Sequence, residues 1–276
     1  MALILPKTAQ PGPRHDIIAA QGNRVTTRDQ PAKMNQPIEF NQELDVGLCR
    51  RTFQNCGRIH IPGILEPASA EWLHNVLEHE VPWQVHFNEG GRNYDLHRDQ
   101  VAVLPENKRV MLTEQLTRNA TSRFQYLFHN YPISDAVLQN AGTIAIHDFH
   151  TFVNAPHTIG LIRDVTGATD ITYADCQATR YQAGQFLTTH NDDLEGKDRR
   201  IAYVFNFTRD WRPDFGGLLL FLDEQGHVEE GYLPLFNSLN LFRIPTHHCV
   251  SYVTPFASDC RYSISGWFRA GPPAGG

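Results

Sequence analysis

Cysteine is scarce in this chain and carries no pattern. Cys49, Cys56, Cys176, Cys249 and Cys260 are odd in number, scattered, and never form a C-x-x-C. They argue against a thiolate zinc site and for a reduced, cytoplasmic protein. Long apolar runs are missing as well, since none approaches the ~18 residues that a membrane-spanning helix needs. The opening MALILPKTAQ has neither the basic region nor the apolar core of a secretory signal. Positive charge is in deficit: 24 Lys and Arg stand against 30 Asp and Glu, a formal net charge of −6. Neither nucleic acid nor an anionic membrane is therefore an expected partner. Internal repeats and low-complexity tracts are absent too.

What remains is the profile of a soluble globular protein, 41% hydrophobic and 20% charged over 276 residues. A chain of this length buries roughly 70% of its unfolded surface and needs no covalent staples. Residues 1–36 are punctuated by Pro6, Pro11, Gly12, Pro13 and Gly22 and lack sustained periodicity, so a flexible leader is expected there. Met34 is a candidate initiator. Residues 37–276 are expected to form one domain. Helical patterns fall at 41–56, at 68–80, at 109–131 and, opened by Pro156 and closed by Gly167, at 157–166. Residues 84–104, with Gly90-Gly91 amid charged and aromatic residues, are expected to be loop and short strand. From about 168 to 270 the character changes. Short β-branched and aromatic runs, among them QFLTTHND, RIAYVFNF, GGLLLFL, SLNLFRI, CVSYV and RYSISGWF, alternate with turn signals. That spacing predicts a sandwich, barrel or jelly roll, and so an α+β fold in which helices at about 41–167 brace a β core.

Histidine supplies the chemistry-bearing pattern. His190-Asn191-Asp192 ends a predicted strand, and a period of two puts His190 and Asp192 on one side. Asp193 has the wrong parity. His248 opens a second predicted strand 58 residues later. Two histidines and a carboxylate can take three positions on a metal and leave three open. Arg261, Ser263 and Ser265 share a face of a third strand. A buried arginine keeps five donors to satisfy, and its usual partner is a carboxylate.

The order H-x-D, then H-x-V-x-x-V, then R-x-S-I-S-G-W-F resembles the iron(II)- and 2-oxoglutarate-dependent oxygenases of the prolyl hydroxylase type, over about residues 150–270. The resemblance implies a double-stranded β-helix, a jelly-roll-like core with supporting N-terminal helices. It implies that His190, Asp192 and His248 bind Fe(II) and carry catalysis. It further implies that Arg261 takes the far carboxylate of the 2-oxoglutarate cosubstrate, with Ser263 beside it and Tyr181 nearby. O2 is the second cosubstrate and ascorbate a candidate reductant. Asn206 stands where the family often has a tyrosine on 2-oxoglutarate. Alternation groups it with Ala202 and Val204, so it is expected to face the cavity. The implied reaction is hydroxylation, with a prolyl residue of a protein or peptide as the leading substrate. Asp192 argues against halogenation, because the related halogenases lack that carboxylate.

Other readings compete at each point. A free amino acid or small metabolite could be the substrate, and Arg92, Tyr94, His97 and Arg98 lie where the two would differ. A non-catalytic sensor on the same fold would not need the triad and Arg261 together, and a cupin-type isomerase or storage protein would have no use for Arg261. His247 is the alternative to His248. His147-x-x-His150 is expected to be surface or cap histidines. Arg199-Arg200 and Lys197 are expected to be a solvated hairpin tip, with a hold on an acidic substrate as the alternative, Gly216-Gly217 a hairpin or close backbone approach, Trp211, Trp267 and Phe268 core aromatics, and Cys249 and Cys260 inert buried thiols. The sequence leaves the oligomeric state open.

Overall fold

The computed structural model describes residues 37–271, so the expected leader lies outside the described residues. Local signals account for the helices that follow. Helix α1 (Val46–Cys56) starts where the Asp45 carboxylate accepts the Leu48 N–H at 2.8 Å, and stops at Gly57, whose φ of 69° is left-handed. Strand β1 (Arg58–Pro62) follows. Helix α2 (Pro67–His79) begins on a proline and buries Leu73, Val76 and Leu77.

One expectation holds only in part here and another fails. Residues 84–104 form a regular hairpin, β2 (Gln84–Glu89) and β3 (Arg92–His97), turned by Gly90-Gly91 and followed by α3 (Arg98–Ala102). The stretch 109–131 is not one helix. It divides into α4 (Glu106–Asn119) and strand β4 (Tyr126–Tyr131). Five of the six β4 residues are buried, and a strand covered on both faces shows no alternation to distinguish it from a buried helix.

Helices α5 (Ile133–Leu138), α6 (His147–Val153) and α7 (Pro156–Thr166) complete the helical part. Pro156 opens α7 and Gly167 closes it in the left-handed region. The β-rich half supplies β5 (Ile171–Ala174), β6 (Gln177–Tyr181), β7 (Phe186–His190), β8 (Arg199–Asn206), β9 (Leu219–Leu222), β10 (Val228–Tyr232), β11 (Ser238–Arg243), β12 (His248–Val250) and β13 (Arg261–Ala270).

The strands join in the order β1-β11-β8-β13-β6-β4-β7-β12-β9-β10, every pair antiparallel, with β5 added to β13 and the β2–β3 hairpin to β4. This nearly closed antiparallel sheet with helices is the double-stranded β-helix, an α+β fold. Its largest core packs the helices against one sheet face: Phe53, Leu73, Phe149 and Ile162 meet Ile201, Tyr203, Phe205 and Ile264. Along β8 and β13 the alternate residues Ala202, Val204, Ser263 and Ser265 turn the other way and line a cavity. Among the described residues, no helix is long and apolar enough to cross a membrane.

Candidate active site

Strand pairing brings the two histidines together. His190 ends β7 directly opposite His248, the first residue of β12, with ring centroids 4.1 Å apart. Asp192 lies two residues beyond, at φ 62°. Its carboxylate oxygens reach both imidazoles: Oδ1 is 3.4 Å from His190 Nε2 and Oδ2 is 3.5 Å from His248 Nε2. One donor atom from each residue fits within 4.8 Å of the others. His247 and Asp193, the alternatives in the sequence, are exposed to solvent, whereas His248 is 4% exposed.

The ring orientations follow from the backbone. His190 Nδ1 donates to the Thr188 carbonyl at 2.9 Å, and His248 Nδ1 to the Thr246 carbonyl at 2.8 Å. A carbonyl can only accept, so each Nδ1 carries a proton and each Nε2 is turned toward Asp192. Burial, with His190 beside it, pushes the His248 imidazole down to about 4, so its Nε2 is a free lone pair at neutral pH. Burial alone would raise the Asp192 carboxyl. The imidazoles of His190 and His248 outweigh that and hold it at about 2. An ionised carboxylate with imidazole nitrogens converging on one point suits a divalent cation, and the donor set is that of a two-histidine, one-carboxylate iron site.

Arg261 lines the same cavity, 2% exposed. It stands opposite Tyr181 in the β13–β6 pair, with its guanidinium carbon 5.0 Å from the Tyr181 ring centroid. It forms no ion pair among the described residues, and its Nε has no hydrogen-bond partner. Burial lowers its pKa. A buried guanidinium without a counter-charge, in a cavity that also holds the His190, Asp192 and His248 side chains, fits a carboxylate-bearing cosubstrate.

The neighbouring residues fix its place. Gly216 and Gly217 carry the chain across at φ 70° and 65°. A Cβ at Gly216 would fall 2.0 Å from the Tyr252 carbonyl oxygen, and one at Gly217 would meet Arg261 Cδ at 3.4 Å. The expected close approach is therefore real: Gly216 passes against the Tyr252 backbone, and Gly217 against Val253, Trp211 and Arg261.

Ser263 is fully buried, its hydroxyl 2.8 Å from that of Thr179. Tyr181 is stacked on Phe128 at 5.0 Å, and burial raises its phenol. Asn206 departs from the expectation that it faces the cavity. It is fully buried on the expected strand but is not among the cavity-lining residues. Its amide donates to Ser238 Oγ, its neighbour across β11, at 3.2 Å, and its Oδ1 is unpartnered.

Several side chains were missed or misjudged from sequence. Gln177 and Thr179 line the cavity beside Tyr181, and the alternation in QATRY places all three on one face of β6. Trp267, half-buried and packed against the cluster of Ala202, Leu219, Phe221 and Phe242, is also a wall of the cavity. Arg199 is no solvated tip. Its guanidinium carbon lies 3.5 Å from the Trp267 ring centroid, and its Nη1 donates to the Asp192 carbonyl at 3.0 Å. Arg200 does reach outward, to Asp170 at 2.8 Å. His147 is buried against the Tyr131 hydroxyl at 2.9 Å, with its pKa lowered by burial, and His150 is half-buried, so neither is a surface histidine. Trp211 and Phe268 are core residues as expected. Cys249 and Cys260 are half-buried and absent from the cavity lining. Of the hairpin residues tied to substrate choice, Arg92, Tyr94 and His97 are exposed.

Fold and site together are similar to those of the iron(II)- and 2-oxoglutarate-dependent oxygenases, a class that uses Fe(II), 2-oxoglutarate and O2. Residues 176–269 match the 2OG-Fe(II) oxygenase superfamily, a span that takes in all four of His190, Asp192, His248 and Arg261. Among curated proteins, the prolyl 3-hydroxylase OGFOD1 of Mus musculus is 34% identical over 101 residues. That match covers 34% of this chain and 18% of the mouse protein, so it spans less than a fifth of the relative's length. Among solved structures, a prolyl hydroxylase from Trichoplax adhaerens, in complex with a hypoxia inducible factor oxygen degradation domain peptide fragment, superposes with a TM-score of 0.53. It is 17% identical, covering 82% of this chain and 89% of that one. A 2OG-Fe(II) oxygenase family oxidoreductase from Burkholderia pseudomallei gives 0.53 at 12% identity, covering 85% and 95%. At these identities the two structures establish the fold.

Proposed function

We propose that this chain is a hydroxylase that acts on a prolyl residue of a protein or peptide. The observation that carries the reading is the buried, unpaired Arg261 in the same cavity as His190, Asp192 and His248. His190, Asp192 and His248 would hold the iron, their rings set by the Thr188 and Thr246 carbonyls. When bound, iron(II) and 2-oxoglutarate supply oxygen activation, with succinate and carbon dioxide as by-products. The protein's part is to bind and shield. Arg261 would pair with the far carboxylate of 2-oxoglutarate as a planar two-pronged donor. Ser263 lies one step along the same strand face, and Tyr181 and Phe128 keep water from that end. Asn206, held by Ser238, is given no contact with 2-oxoglutarate in this reading.

Two things support the prolyl substrate: the name of the mouse relative and an aromatic approach to the metal side chains. Phe124, exposed, sits 5.4 Å from the His190 ring, with Tyr126 at 5.7 Å from Phe124. A cytoplasmic place belongs to the same reading and is supported by five cysteines that are all free thiols.

The test is a mass-spectrometric screen of proline-containing peptides beside free amino acids, with Fe(II), 2-oxoglutarate and ascorbate. A 16-dalton gain on a prolyl residue, matched by succinate, is the expected result. Hydroxylation of free amino acids alone would move the reading to a small-molecule enzyme. No 2-oxoglutarate turnover with any substrate would overturn it.

A further inference from the structure

We propose that Arg199 is a positioning residue for the metal-binding carboxylate: it fixes the backbone at Asp192 so that the side chain faces His190 and His248. The inference rests on the iron site proposed above. Asp192 adopts φ 62°, where an L side chain crowds its own backbone, although aspartate tolerates this better than most residues. Such a conformation persists only where its surroundings hold it. Among the described residues, the hydrogen bond to the Asp192 carbonyl comes from Arg199 Nη1 at 3.0 Å, and the same nitrogen lies 3.9 Å from Asp192 Oδ1. One guanidinium therefore sets the peptide plane and faces the carboxylate.

Arg199 is itself anchored. It stacks on Trp267 at 3.5 Å, and the Trp267 backbone N–H donates to Asp175 Oδ1 at 2.9 Å. Asp175 Oδ2 takes Arg269 at 3.0 Å, and Arg269 Nε donates to the Lys197 carbonyl at 2.6 Å. The loop between β7 and β8 is thus tied near its start by Arg199 and near its end by Arg269. The geometry needs an arginine at 199. A flat guanidinium can lie on the indole and still direct an N–H at the carbonyl, which a lysine ammonium cannot do equally well.

Mn(II) is the probe, titrated into the metal-free full chain while the electron paramagnetic resonance signal of free Mn(II) is followed. Arg199→Ala should bind Mn(II) roughly 10-fold more weakly or worse, the usual effect of removing a group that orients a ligand. Arg199→Lys should recover only part. A merely structural arginine would lower the melting temperature and leave Mn(II) affinity alone. If Arg199→Ala does not fold, Arg199→Gln, which keeps a flat polar group without the charge, should still bind several-fold more weakly. Wild-type Mn(II) affinity in a folded Ala or Gln variant overturns the inference while leaving the iron site intact. A wild-type chain that binds no Mn(II) overturns the iron site itself, and the inference with it.

Discussion

His248 shows what the cavity does to one side chain. In the unfolded chain its imidazole titrates near the ordinary 6.5, whereas in the fold burial and His190 push it to about 4. A depressed value means that protons bind the unfolded chain more readily. The contribution to stability is full above pH 6.5 and is lost as pH falls toward 4. Metal-free protein should melt at steadily lower temperature through that window, and His248→Gln should flatten the slope. An identical slope in both would remove the buried neutral imidazole from the account. The neighbouring position makes a second test. His247 is exposed, so His247→Ala should keep metal binding and 2-oxoglutarate turnover, while His248→Ala should lose both with the fold intact. The opposite pattern would exchange the two assignments. At this scale the sequence was informative about which side chains converge, because H-x-D parity and the start of a strand are local facts. It was uninformative about Arg199, whose stacking on Trp267 joins residues 68 positions apart in the chain, and about Asn206, whose partner Ser238 is 32 residues away.

Among the elements, the Gly216-Gly217 crossing is the most constrained. Gly216 has φ 70° and ψ −148°, a region essentially reserved for glycine, and the Tyr252 carbonyl occupies the space a Cβ would need. Gly216→Ala should cost about 2–3 kcal/mol of stability, combining backbone strain with displacement of that carbonyl. Because the next residue lies against Arg261, the same variant should also raise the KM for 2-oxoglutarate. Urea unfolding within about 0.5 kcal/mol of wild type would show that the loop yields freely. Strand assignment from sequence succeeded where one face meets the cavity and the other meets the helices, as in β8 and β13. It failed at β4, which is covered on both faces, and found only a short strand where β2 and β3 pair, since the mostly exposed β3 residues give no apolar alternation to read.

For the molecule as a whole, the fold places distant residues in one cavity. His190 and His248 meet because β7 pairs with β12. Arg261 reaches the same space because β13 borders β6, whose Tyr181 and Thr179 form the adjoining wall. Helices α1, α2, α6 and α7 cover the opposite face of the sheet and leave the interior free for ligands. This overall plan was legible through the order of three short motifs, since their resemblance to a known family carried the topology with it. The cavity walls were not legible, because they depend on which strands become neighbours. The most direct measurement is an anaerobic titration of 2-oxoglutarate into the Fe(II)-loaded chain, following the metal-to-ligand charge-transfer band in wild type and Arg261→Ala. The account predicts a saturable band in wild type. Arg261→Ala should bind Fe(II) normally but need roughly 100-fold or more 2-oxoglutarate, the equivalent of two decades at about 1.4 kcal/mol each, and Arg261→Lys should lie between. No band in wild type, or equal 2-oxoglutarate affinity in wild type and Arg261→Ala, would contradict it.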